Sequence, residues 1–229
     1  MQLRPAGSTR KDVAAMNWKK LIAPLLGYAL LCAVYSFRTG DFLGLGLVWN
    51  IGLALLPLPV FRLAQRQKNM AAKWVLLLVW VLLLPNTFYM ITDLLHVPSD
   101  MEWVGYTQDG RAAVMHSPYV RDWTLMLLLG MGAFMAVMLG CRALSAFEKS
   151  LPESVGPAGR QASIAVLSFL CGVGIYIGRF LRFNSWDIRA PIYLLRVFWE
   201  SLDTLAVLFI VLMSYSIFLL YYFYRRFCA

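Results

Sequence analysis

The stretch WVLLLVWVLLLPNTFYMITDLLH, residues 74–96, carries no charged side chain before Asp93. A helix over Trp74–Leu95 rises about 33 Å at about 1.5 Å per residue, enough to cross the roughly 30 Å hydrocarbon core of a bilayer. Five further runs have the same character: Leu21–Phe37, Phe42–Leu63, Trp123–Ala143, Ala162–Leu181 and Leu202–Tyr222. They are too long for membrane strands and lack the two-residue alternation of a barrel. The expected fold is an all-α polytopic membrane helix bundle with six spans. Residues 1–20 form a basic tail, 21–224 a single transmembrane domain and 225–229 a second tail. Trp18, Trp74, Trp123, Trp199 and the run Tyr221–Tyr224 sit near span ends, where aromatic side chains anchor at membrane interfaces.

Composition agrees. The 229 residues are 60% hydrophobic and 14% charged, against about 25% charged in a soluble domain. Disorder, collagen-like repeats and a disulfide scaffold are excluded, since each needs the opposite composition. The net charge of +9 is distributed by side. With a cytoplasmic N-terminus, the inner segments hold 14 basic and 3 acidic residues, and the outer ones 7 and 9. The positive-inside rule selects that orientation, with both termini cytoplasmic, in a bacterial inner membrane. The basic loops are short and flank spans, so they report orientation and contact with anionic lipids; no nucleic-acid partner is expected. The first run lacks a small-residue cleavage site and reads as an uncleaved helix. Cys32, Cys141, Cys171 and Cys228 are single and widely spaced, which gives no redox or zinc motif.

Polar residues within spans are expensive and mark the place to look for function. Pro85 is expected to kink the third span. Beyond it Asn86, Tyr89, Asp93 and His96 recur at spacings of 3, 4 and 3 and are expected on one helical face, lining a polar pocket open to the outer side. The structural alternative has Asn86 and Tyr89 tying helices together while Asp93 and His96 end the helix in water.

A second cluster follows the fifth span: Gly178, Arg179, Arg182, Asn184, Ser185, Trp186 and Asp187. Gly174 and Gly178 form a small-x-x-x-small pair suited to close helix packing. Arg179 and Arg182 are expected to share a helical face, and with Arg189 and Arg196 they run against the charge bias of the outer side. Arginine forks suit phosphate or carboxylate, but local acids compete for them: Asp93 or Asp187 for Arg179 or Arg182, and Glu200 for Arg196. The segment 184–201 is too short and charged to cross. It is expected as an interfacial helix with Asp187 as N-cap, a re-entrant turn being the alternative.

The outer loop, residues 96–121, holds His116. Asp93, His96 and His116 together would suit a transition metal, but the spacing is a weak signal, and no metal or cofactor is expected. No P-loop, G-x-S-x-G or H-E-x-x-H motif occurs.

The segment P-N-x-x-Y-x-x-T-D-L-x-H, from Pro85 to His96, and G-R-x-x-R-x-N-S-W-D, from Gly178 to Asp187, resemble the signatures of a family of bacterial integral membrane proteins classed as a domain of unknown function. The resemblance covers roughly Leu45 to Tyr222. It implies a polytopic membrane protein and supplies no activity, substrate or cofactor.

The leading functional expectation is a protein that binds or passes a small anionic ligand, such as a lipid or glycan phosphate. Asn86, Tyr89, Asp93, Arg179, Arg182, Asn184 and Asp187 are its candidate ligand-binding residues. An enzyme using Asp93 or His96 as catalytic base or metal ligand is one alternative. A non-catalytic assembly subunit, with a membrane-protein partner or a second copy, is the other.

Overall fold

The computed structural model describes residues 18–183 and 191–228. Its elements run α1 (Trp18–Thr39), α2 (Leu43–Leu55), α3 (Pro57–Arg66), α4 (Met70–Leu83), α5 (Asn86–Tyr89), a 3-10 turn (Thr92–His96), strands β1 (Glu102–Tyr106) and β2 (Ala112–His116), α6 (Val120–Ser150), α7 (Pro157–Arg179), α8 (Pro191–Glu200) and α9 (Thr204–Phe227). Six helical stretches among the described residues are long and apolar enough to cross a membrane: Leu21–Thr39, Leu43–Arg66, Met70–His96, Val120–Ser150, Pro157–Arg179 and Thr204–Phe227. The architecture is the all-α polytopic bundle that the apolar runs predict.

The bundle is organised around α6, which packs against α1, α2, α3, α5, α7 and α9. Residues at helical spacing along it, among them Leu125, Leu129, Ala136, Ala143 and Leu144, are buried. The opposite sides of the helices remain apolar and exposed, as at Leu26, Leu30, Trp49, Leu78, Phe134, Leu208 and Leu212. Such a surface greatly exceeds the apolar patches of soluble monomers and suits contact with lipid tails. Lipid offers helices no hydrophobic reason to associate, so close packing and hydrogen bonds must hold them together. Phe61, Trp80 and Phe147 supply part of this: Trp80 stacks on Phe147 at 5.4 Å between ring centroids and meets Phe61 at 5.0 Å.

Consecutive spans alternate in direction. One end of the bundle, the basic end, carries Arg62, Arg66, Lys68, Lys73, Arg142, Lys149, Arg160, Arg225 and Arg226. The other, the hairpin end, carries β1 and β2. At the basic end α6 runs on to Ser150, well past the Ala143 boundary expected from hydropathy. Arg160 caps this end: its guanidinium donates to the carbonyl of Glu148 in the last turn of α6 at 2.6 Å, and to those of Leu151 at 3.1 Å, Pro152 at 2.9 Å and Val155 at 3.1 Å in the connection that follows. One cation thus ties the C-terminus of α6, where the helix dipole favours positive charge, to the loop leading into α7.

The outer loop of the sequence reading contains an antiparallel hairpin. Glu102 pairs with His116 and Tyr106 with Ala112, across a turn closed by Thr107 and Arg111 with Gly110 at φ 73°. Its base is fastened to α6: Ser117 donates to the buried Asp122 at 2.6 Å, and the Trp123 indole donates to the Ser117 carbonyl at 2.8 Å.

At the same end α8 forms within the expected interfacial segment and spans about 15 Å, too short to cross. Ile192, Tyr193, Leu195 and Trp199 are exposed along it, while Phe198 packs near Tyr176. Arg196 meets Glu200 at 2.7 Å, the helical pair that their spacing predicts. Asp187, the expected N-cap, lies outside the described residues.

Candidate functional site

The third span breaks where Pro85 stands. Proline cannot donate, and its ring blocks the preceding turn, so α4 ends at Leu83. The chain tightens after it: the Thr87 N–H donates to the Leu84 carbonyl, and Ile91 and Asp93 likewise donate to residues three positions back. These tight turns continue as the 3-10 segment Thr92–His96. A 3-10 turn keeps residues three apart on one side, but this one is short and ends at His96, so the predicted stripe is only partly realised. Asp93 points into the bundle and is buried, whereas His96 is exposed.

The broken segment is clasped by glycines on two helices. A Cβ placed at Gly174 of α7 would meet the Pro85 ring at 2.6 Å, and one at Gly178 would touch the Tyr89 ring at 3.4 Å. On α6, a Cβ at Gly140 would lie 2.5 Å from the Thr87 hydroxyl and 2.6 Å from the Phe88 ring. The small-x-x-x-small pair therefore works as expected. Its partner is the kinked third span.

This packing brings Arg179, the last residue of α7, onto the 3-10 turn. Its Nη2 donates to Asp93 Oδ1 at 2.9 Å, and its Nε donates to Thr92 Oγ1 at 3.0 Å. The guanidinium carbon lies 4.9 Å from the centroid of the Tyr89 ring, in cation–π contact. The second carboxylate oxygen of Asp93 accepts from Asn50 Nδ2 at 2.8 Å. Thr92 in turn donates to the Tyr89 carbonyl at 2.6 Å. Side-chain exposure is 18% for Arg179 and 6% for Asp93, so the ion pair is largely removed from water. The guanidinium also stands at a helix C-terminus, where the backbone dipole favours a cation.

Three spans therefore meet in one polar centre: Asn50 from α2, Tyr89, Thr92 and Asp93 from the broken span, and Arg179 from α7. Both Asp93 oxygens are engaged, which makes this carboxylate an orienting group for arginine. Among the described residues nothing accepts from Arg179 Nη1. The centre can thus present a fixed guanidinium edge to a carbonyl, carboxylate or phosphate oxygen.

The other expected residues fall elsewhere. Asn86 is half-buried at the start of α5 and takes no part in the network. Arg182 does not share a helical face with Arg179: α7 ends at Arg179, and Arg182 is exposed with φ 56°, in the left-handed region. Asn184 and Asp187 lie outside the described residues. His116 is exposed on β2, 3.5 Å from Glu102 and edge-on to Trp123. Asp93, His96 and His116 are not brought together, and no three His, Cys, Asp or Glu side chains gather as a metal site among the described residues.

Two polar residues escaped the sequence reading. Asn50 stands alone in the apolar run of the second span, itself a signal, since a buried amide in lipid needs a partner. Glu148 is buried at the basic end, where Tyr221 donates to its Oε2 at 2.6 Å and Arg225 Nη1 lies 2.7 Å from its Oε1. An acid among many basic residues is the corresponding signal. The Arg225 contact is a charge pairing without the alignment of a hydrogen bond.

A family model described as "Protein of unknown function (DUF1361)" matches residues 49–220, and the chain belongs to that family. Nothing matches among curated proteins or among solved structures.

Proposed function

We propose that this multi-pass membrane protein binds or passes a small phosphate- or carboxylate-bearing group at its outer face, in a bacterial inner membrane with both termini cytoplasmic. The observation that supports this reading is the state of Arg179. It is held by Asp93, Thr92 and Tyr89, largely dry, and keeps its Nη1 donors without an acceptor among the described residues. A guanidinium fixed in advance loses little freedom on meeting an anion, and a low-dielectric setting strengthens the contact. Arg182, exposed beyond the helix end, supplies a second charge to draw an anion toward the site.

The test is isothermal titration of inorganic phosphate and of acetate into protein held in neutral-lipid nanodiscs. Wild type binds one of them, and Arg179→Gln abolishes binding. Arg182→Gln, which alters an exposed residue, weakens it while leaving the thermal transition in place. Equal titration of wild type and the double variant Arg179→Gln/Arg182→Gln would sink the reading.

A second reading rests on the full engagement of Asp93. The centre then fixes helix packing in an assembly subunit, and its variants lose abundance without losing any ligand. An outer-leaflet enzyme with Asp93 or His96 as base has less support, because neither Asp93 oxygen is spare and His96 stands apart in solvent.

A further inference from the structure

At the basic end, remote from Arg179, a cavity of about 280 Å³ opens between the start of α7 and the end of α9. It is at the small end of ligand-sized cavities. Its lining is largely polar, with Gln161, Tyr221, Tyr222, Arg225 and Arg226; Ile164 and Phe218 are its apolar wall. Arg225 is positioned there by Glu148, a buried carboxylate whose other oxygen is fixed by the Tyr221 hydroxyl. Arg226 is exposed, and no described residue pairs with it. Both arginines lie in the last turn of α9, beside the aromatic run that marks a membrane interface.

We propose that this cavity is a phosphate-binding site, with Arg225 and Arg226 taking the phosphate oxygens. The apolar wall favours a phospholipid as the source, since its first acyl carbons would lie against Ile164 and Phe218. A free phosphate would make the same contacts with the arginines and leave that wall unused. Two arginines, one of them held by a buried acid, provide more than the scattered attraction of basic loops for an anionic leaflet, because guanidinium forks bind phosphate with direction. The proposal does not depend on the Arg179 centre.

The experiment uses the full chain in nanodiscs made from equal parts phosphatidylcholine and phosphatidylglycerol, followed by native mass spectrometry to count retained lipid. Wild type is expected to keep phosphatidylglycerol in preference to phosphatidylcholine, and Arg226→Gln to reduce that retention about tenfold. Arg225→Gln leaves Glu148 unpaired and could fail to fold, so the double variant Glu148→Gln/Arg225→Gln, which removes both charges, is measured beside it. Arg66→Gln, an exposed arginine at the same end, should retain lipid like wild type. A parallel arm titrates inorganic phosphate against thermal stability in neutral-lipid nanodiscs. Stabilisation of wild type and not of Arg226→Gln supports a phosphate site open to free phosphate; no response there, with lipid still retained, supports a lipid site. Retention by Arg226→Gln equal to wild type, or an equal loss in Arg66→Gln, would overturn the proposal.

Discussion

Asp93 and Arg179 lie 86 residues apart in sequence and meet at 2.9 Å. The contact closes the one place where the third span departs from a regular helix. Pro85 breaks the span, α6 and α7 present glycines to the broken piece, and the ion pair locks that piece to the end of α7. Breaking a helix in lipid leaves backbone groups without partners, so the break needs such support. The same residues that support it also fix a guanidinium at the surface of the bundle.

Removing both members of the pair should cost far less than the two single removals added together. Asp93→Asn leaves a largely buried arginine without its counter-charge, at a cost of about 3 kcal/mol. Arg179→Gln leaves the carboxylate with Asn50 alone and should cost a similar amount. Because the two changes share one interaction, Asp93→Asn/Arg179→Gln should fall well below the sum of the singles. Asn50→Ala, which removes a single hydrogen bond, should cost about 1 kcal/mol. Reversible unfolding in detergent, followed by tryptophan fluorescence, measures all four; additive singles would mean the pair is not coupled.

The glycine clasp makes a separate, steric forecast. Gly174→Ala drives a methyl into the Pro85 ring, and Gly140→Ala into Thr87 and Phe88. Both are overpacking changes against a stiff partner, expected to cost about 1–3 kcal/mol. Gly130→Ala is the control: it lies on the same helix as Gly140 with nothing within 4 Å of an added Cβ. It should be neutral or slightly stabilising, since alanine favours a helix over glycine. Equal loss at all three positions would show that helix geometry matters there and close approach does not.

How much of this was legible in the sequence follows from the range of each signal. Apolar run length is local, so the six spans and the amphipathic helix α8 read directly. Pro85 and the Gly174–Gly178 spacing are local too, and both do what their chemistry dictates. The stripe Asn86, Tyr89, Asp93, His96 misled because spacing says nothing of depth: Tyr89 and Asp93 meet Arg179, Asn86 stands outside that network, and His96 ends the 3-10 turn in an exposed position. Arg179 and Arg182 misled for a related reason: the helix ends between them. Asn50 and Glu148 are invisible to periodicity, since their roles depend on which distant helix lies opposite. Each was nonetheless a polar residue set among apolar ones.

Glu148 should behave as the Asp93 of the other end. Tyr221→Phe removes the one hydroxyl that, among the described residues, donates to its Oε2, and leaves a buried carboxylate oxygen without that donor, at about 2 kcal/mol. Glu148→Gln keeps an acceptor for Tyr221 and gives up the charge pairing with Arg225, which is half exposed and can turn to water. It should therefore cost less than Tyr221→Phe. Thermal unfolding of the two variants and of Tyr221→Phe/Glu148→Gln decides. A greater loss for Glu148→Gln would mean that the ion pair, not the hydroxyl, stabilises this end.

The proposed orientation can be read by thiol labelling. Cys32, Cys141 and Cys171 are buried and Cys228 is exposed at the basic end, so only Cys228 should react with a bulky maleimide. With the basic end cytoplasmic, a membrane-impermeant maleimide leaves Cys228 untouched in intact spheroplasts and labels it once they are permeabilised. The complementary probe is Asp109→Cys in a Cys228→Ser background. Asp109 is exposed in the turn of the hairpin and belongs to neither ion-paired centre. It should react in intact spheroplasts with no gain on permeabilisation. The reverse pair of results would place the hairpin in the cytoplasm. The Arg179 edge would then face inward, and its ligand would have to be a cytoplasmic one.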